Sequence, residues 1–137
     1  MKSLFNFFQV VITSFGGYLG WLLGGVDGFM YALIFLIIVD YFTGIMVAIL
    51  GKNLSSEIGF RGIFKKILIL MLVGVANVMD IYLIKNGSAI RTAVIFFYAS
   101  NEGISILENS VKIGLPVQKK LRNILKQLKS QGGNENE

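Results

Sequence analysis

Three acidic residues stand within or at the edge of strongly apolar stretches of this chain: Asp40, Asp80 and Glu102. Carried on helices through lipid, such carboxyls can hold a proton, pair with a cation or bond a neighbouring helix, and an intramembrane acid is a functional candidate by default. Little other chemistry is open to them. The chain has no Cys and no His, which removes thiol nucleophiles, disulfides, zinc sites built on those residues and the commonest general base. No nucleophile–base pair and no metal-ligating set is discernible, so no catalytic, cofactor-binding or metal residue is expected, and the protein is not expected to be an enzyme.

The elements that hold these acids must be membrane helices. Hydrophobic residues make up 54% of the 137 and charged residues 15%, a membrane composition. The central stretch from Phe29 to Asp80 contains two apolar runs joined by a short link rich in Gly, Ser, Lys and Arg. A chain this short has no large soluble core in which to bury them. The formal charge of +5 does not suggest nucleic acid, because the bases sit beside apolar spans, as positive-inside anchoring requires. The pattern predicts an all-α, multi-pass transmembrane protein of about four spans, with a basic amphipathic helix at its C-terminus. Residues 1–110 would form the membrane domain, 111–129 the basic cytoplasmic helix and 130–137 a disordered tail.

The first span is read as Leu4 to Gly25, retained because no A-x-A cleavage pattern follows it. Gly16, Gly20 and Gly24 recur every four residues along it, a small-residue face suited to close helix contact within or between subunits. The second span is Gly28 to Leu50, with Asp40 about ten residues from either end. A central Asp costs roughly 2.5 to 3.5 kcal/mol, whereas each Leu, Ile, Phe or Val returns about 0.3 to 0.6. The thirteen such residues of this span leave insertion favoured by roughly 0.5 to 5 kcal/mol. Asp40, Thr43 and Gly44 then form a narrow polar stripe that should face protein or water, either as a functional site or as hydrogen-bonded packing. Lys52 lies in the link, where Gly51 and Asn53 can end one helix and Ser55 or Ser56 can cap the next.

Arg61, Lys65 and Lys66 read as an interfacial basic collar, too far from Asp40 to pair with it. The third span, Ile67 to Ile84, carries Gly74, Asn77 and Asp80 near one face, with Asp80 close to headgroup level. Ser88 is expected to cap the fourth span, Ala89 to Leu107, on which Tyr98, Glu102, Ser105 and Asn109 share a polar face. Beyond Pro116, Leu121, Ile124, Leu125 and Leu128 make an apolar stripe flanked by Lys119, Lys120, Arg122, Lys126 and Lys129, which suits an anionic leaflet or an oligomer contact.

The series Asp40, Thr43-Gly44, Lys52, Ser55-Ser56, Gly59, Gly62, Lys65-Lys66 and Asp80 resembles the Gram-positive phage holins described as toxin secretion/phage lysis holins, over roughly Phe29 to Asn109. The resemblance implies a small protein that accumulates in the host cytoplasmic membrane, forms homo-oligomers and opens it. An endolysin or a toxin then leaves as cargo without specific binding. Family members are usually drawn with fewer than four spans.

The residues alone reach part of this. Polar stripes that one subunit cannot satisfy are satisfied by copies of itself, and neither inverted repeats nor broken midplane helices suggest a transporter. A small ion or solute channel, a transporter subunit and an antiholin-like regulator are the alternatives, separable by the size of the lesion. The expected partners are the lipid bilayer and the chain itself, without nucleic acid and without a cofactor. The distribution of Lys and Arg places the central link and both termini in the cytoplasm. Before assembly Asp40 is expected to be neutral and hydrogen-bonded, to Thr43 or a partner helix, and in the open assembly to face water.

Overall fold

The computed structural model describes residues 1–116 and 119–134. These are all-helical, with no strand among them: α1 (Lys2–Leu22), α2 (Gly28–Leu50), α3 (Ser56–Val78) running on into a π-helical stretch (Met79–Ile84), α4 (Ala89–Ile113) and α5 (Lys119–Asn134). Helix ends follow local chemistry. Asp27 Oδ1 accepts from the Met30 N–H at 2.9 Å to start α2, and Ser55 Oγ accepts from the Ile58 N–H at 3.2 Å to start α3. After α2 closes at Gly51, the chain turns through Lys52 in the left-handed region, φ 56°. α3 begins at Ser56, a full three turns before the apolar run that marks it in the sequence. α5 continues to Asn134, past Ser130 where the tail was expected to begin. Residues 135–137 of that tail lie outside the described residues.

Two of these helices are long and apolar enough to cross a membrane: α2, and α3 taken with its π extension. The expected count of four spans is not reached by this measure. α1 has the length but includes Asn6, Gln9, Thr13 and Ser14, and α4 includes Arg91, Asn101, Glu102, Glu108 and Lys112. Neither is a span by apolarity alone.

The core is a three-helix arrangement. α2 and α4 run parallel, as the pairs Asp27 with Arg91, Phe29 with Phe96 and Asp40 with Asn109 show, and α3 runs against both. Met30, Leu33 and Ile37 of α2, Ile69 and Val73 of α3 and Ile95 of α4 form its apolar centre. α5 folds back antiparallel along α4. Leu125 would lie 3.4 Å from a Cβ at Gly103, Arg122 reaches Glu108 at 3.4 Å, and Lys129 stands 5.5 Å over the Phe97 ring. α1 is different, for no residue along it is buried. Only its C-terminal end meets α3, leaving an apolar cleft of about 620 Å3 between Leu19, Leu22, Ile67, Met71 and Val75.

The distribution of polarity is inverted relative to a water-soluble domain. Asp40, Asn77, Asp80, Arg91, Ser100 and Glu102 are buried, whereas Phe35, Ile38, Phe42, Phe64, Leu68 and Met71 point outward. Charged side chains are almost never buried in soluble proteins unless paired, and large apolar patches are rarely left bare. Lipid around the outside resolves both features at once.

Candidate functional site

Two polar clusters occupy the interior, one halfway along the bundle and one at the end where α1 meets it. The first draws on all three core helices: Asp40 and Thr43 of α2, Lys66 of α3, and Glu102 and Asn109 of α4. Lys66 of α3 extends between α2 and α4, where its ammonium donates to Asp40 and, at 2.5 Å, to Glu102 Oε2. Asp40 and Glu102 are 8% and 5% exposed, so the group is removed from solvent. Asn109 donates to Asp40 Oδ1 at 3.3 Å and to Thr43 Oγ1 at 3.0 Å.

This placement corrects two sequence expectations. Lys66 does not sit at the interface out of reach of Asp40; it is the counter-ion. It directly follows Lys65, and the 100° rotation per helical residue turns Lys66 inward while Lys65 and Arg61 stay exposed. Arg61 pairs along its own helix with Glu57 at 3.6 Å. Thr43 does not bond the Asp40 carboxylate either. Its hydroxyl donates to the Asp40 carbonyl at 3.0 Å, one turn back along α2.

Small residues give the cluster room. Gly44 faces Asn109, whose Nδ2 would lie 3.9 Å from an added Cβ, and at Gly62 an added Cβ would come within 3.2 Å of the Tyr41 ring. Tyr41 donates its hydroxyl to the Gly59 carbonyl at 3.3 Å. A cavity of about 230 Å3 extends from Asp40, Lys66 and Ser105 to Leu54 and Ile58, at the α2–α3 link, with Lys65 on its wall. Water can therefore approach the cluster from the link end.

The second cluster joins α1 to the bundle. Arg91, 4% exposed, donates from Nε to the Leu23 carbonyl at 2.7 Å, from Nη1 to Asp27 Oδ2 at 2.9 Å and from Nη2 to the Gly25 carbonyl at 2.9 Å. Asn77 donates to the Leu22 carbonyl at 3.0 Å. Side chains of α3 and α4 thus satisfy the carbonyls that α1 leaves free where it ends. The Arg91 guanidinium, with the Met30 N–H, holds the Asp27 carboxyl below the usual carboxylate range. Asp80 lies at this end too, 2% exposed, and accepts from the Ile90 and Arg91 N–H groups at 3.1 and 2.8 Å. It caps α4 in place of Ser88, whose side chain makes no capping bond, and it is buried where headgroup contact was expected.

Gly24 belongs to this second cluster and not to a helical face. α1 ends at Leu22, Gly24 has φ +88°, and a Cβ there would lie 2.5 Å from Arg91 Nε and 2.6 Å from Asn77 Oδ1. Gly16 has nothing within 4 Å and Gly20 only Val26, at 3.9 Å. The expected three-glycine groove is therefore two residues long, and it makes no helix contact within the subunit. Lys52 is exposed in the link. Among the described residues no group of His, Cys, Asp or Glu is arranged to hold a metal ion. Arg91 and Asp27 were not among the expected site residues: Arg91 was weighed only as a charge mildly against the topology, although a lone cation near the start of an apolar run was a visible signal.

A buried ion-pair centre and an apolar exterior suit a bundle surrounded by lipid. A sequence profile of the bacteriophage holin family matches residues 17–130. The chain belongs to that family. Among its relatives, an uncharacterized 14.9 kDa protein in the nagH 3′ region of Clostridium perfringens is 42% identical over 129 residues, 93% of this chain and 97% of that one. The uncharacterized protein Lin0175 of Listeria innocua is 41% identical over 129 residues, 94% and 91% of the two chains. A probable holin of Bacillus phage phi105 is 38% identical over 80 residues, 58% of each. No solved structure matches the chain. Family membership and the two apolar helices together indicate a holin-like protein located in a membrane.

Proposed function

We propose that this holin-family protein accumulates in the cytoplasmic membrane of a bacterial host, self-assembles there without catalysis, and opens lesions through which an endolysin or toxin leaves. The observation that carries this reading is the inverted bundle, with Asp40, Lys66 and Glu102 inside and aromatic and aliphatic side chains outside. α1 adds to it. A helix anchored at one end and bare along its length offers the Gly16 and Gly20 face to another copy, at the close approach that small residues permit.

In this reading α1 and α4 accompany the two apolar spans across the membrane, with both termini and the α2–α3 link in the cytoplasm. Arg91 and Glu102 of α4 are buried against the rest of the bundle and do not meet lipid, while the exposed Glu108 and Lys112 lie beyond Leu107, where the span was read to end. α5 is another matter. At mid-bilayer depth, Lys119, Lys120, Arg122, Lys126 and Lys129 would cost about 12 to 18 kcal/mol at 2.5 to 3.5 each. In the inserted protein α5 therefore moves from α4 to the cytoplasmic leaflet, turning at Gly114, which already has φ +117°.

Expression in bacteria tests the function. Membrane-fractionated protein, collapse of the membrane potential and release of a folded cytoplasmic enzyme are expected together. Collapse without enzyme release would assign an ion channel instead, and neither event would leave a scaffold or antiholin-like regulator.

A further inference from the structure

The central cluster has an unbalanced charge. Two carboxylates, Asp40 and Glu102, share one ammonium, Lys66. The groups that face them from each packed helix are Thr43 on α2, Lys66 on α3 with Lys65 at the cavity wall, and Ser105 and Asn109 on α4. Lys65 is exposed, Arg122 and Lys129 of α5 engage Glu108 and the Phe97 ring on α4, and the remaining groups are neutral, so among the described residues no second cation compensates inside. The Arg91 cluster does not help, because its guanidinium is committed to Asp27 and to backbone carbonyls at the opposite end.

We propose that the cluster binds one exchangeable proton per subunit, carried on Glu102 and supplied through the cavity that opens at the α2–α3 link. The proposal rests on the membrane reading above, since a net negative charge in a lipid-surrounded bundle is what makes the proton necessary. Its location follows from hydrogen bonding. Asp40 is served by Lys66 and by Asn109, whereas Glu102 receives Lys66 alone, so the negative charge is better supported on Asp40. The step is a simple association: a proton from water adds to the Glu102 carboxylate, and Asp40 and Lys66 remain an ion pair. The cluster is then neutral. Losing the proton leaves one negative charge among three helices, which favours their separation and the entry of water. Proton occupancy is thereby coupled to how tightly α2, α3 and α4 hold together.

Infrared spectroscopy of the full chain in phospholipid vesicles reads this directly, through the C=O band of a protonated carboxyl. Flotation with the vesicles is measured first, because a chain that does not float overturns the membrane reading and this premise with it. In floated protein the band is expected at neutral pH and lost on raising the pH. Glu102→Gln, which keeps shape and neutrality, is expected to lose the band at neutral pH with helix content unchanged. Asp40→Asn is expected to lose it too, because Lys66 and Glu102 then balance one to one. Absence of the band from floated parent protein, or its persistence in Glu102→Gln, overturns the proposal while leaving the membrane reading intact.

Discussion

The two buried polar clusters contain similar residues and do different work. At the α1 end every polar group has a fixed partner: Arg91 bonds Asp27 and two carbonyls, Asn77 bonds a third, and Asp80 takes the free N–H groups of α4. Acids outnumber the base there too, but Asp27 is half exposed and paired with Arg91, Asp80 is held by backbone N–H groups at the start of α4, and much of the bonding completes helix ends. Halfway along the bundle, the bonds run chiefly from side chain to side chain, acids outnumber the base, and a cavity reaches them. The first is a joint. The second is a centre whose protonation and hydration can change without dismantling a helix end.

That distinction predicts a graded set of outcomes. The largest effect is expected from Arg91→Ala, which strands the Leu23 and Gly25 carbonyls and unpairs Asp27. A loss of about 3 kcal/mol of stability is expected, measured by denaturant unfolding of the protein in micelles. Gly24→Ala should follow, costing roughly 1 to 3 kcal/mol because φ +88° and the close approach of Arg91 both resist a Cβ. The informative control is Gly16→Leu or Gly20→Leu. Either should leave monomer stability within about 0.5 kcal/mol yet reduce cross-linked oligomers in membranes. Oligomers equal to the parent's in amount and size would mean that this face is not a subunit contact.

Much of the centre was legible as spacing, and little of the joint. Met30, Leu33, Ile37, Asp40 and Gly44 recur at three and four residues, as do Gly59, Gly62, Lys66, Ile69, Val73 and Asn77, and again Arg91, Ile95, Tyr98, Glu102, Ser105 and Asn109. These are three helical seams, and each carries an acid, a base or both. The shorter stripes of Asp40, Thr43 and Gly44, and of Tyr98, Glu102, Ser105 and Asn109, turned both acids toward protein or water, and the second span was read with the limits of α2. What spacing within one helix does not state is register between helices. Lys66 was grouped with Arg61 and Lys65 by adjacency, although it belongs to the seam of Gly59 and Gly62. Asp80 was assigned to headgroups by its distance along the span. The π-helical stretch and the left-handed turn at Lys85 bring α4 back onto it, and neither leaves a mark in composition. α1 ended two residues before Gly24 because the paired glycines that follow Leu23 terminate it.

The smallest effect separates the clusters by pH. Because Arg91 depresses the Asp27 carboxyl, the joint contributes stability above the unfolded carboxylate range, near 3.9, and loses it as pH falls through the lower folded value. Asp27 is half exposed, so the contribution is modest. Unfolding of Asp27→Asn and of the parent should differ at neutral pH and converge in acid. A difference that persists undiminished at low pH would assign the Asp27 contribution to something other than its charge.

The most direct test of the account is the functional weight of the central acid. Asp40→Leu and the parent, brought to equal abundance in bacterial membranes, can be followed in time for collapse of the membrane potential and release of a folded cytoplasmic enzyme. Asp40→Leu leaves Lys66 paired with Glu102, so it should insert and remain stable but fail to permeabilise. Release by Asp40→Leu on the parent's schedule would contradict the account and reduce the central cluster to packing.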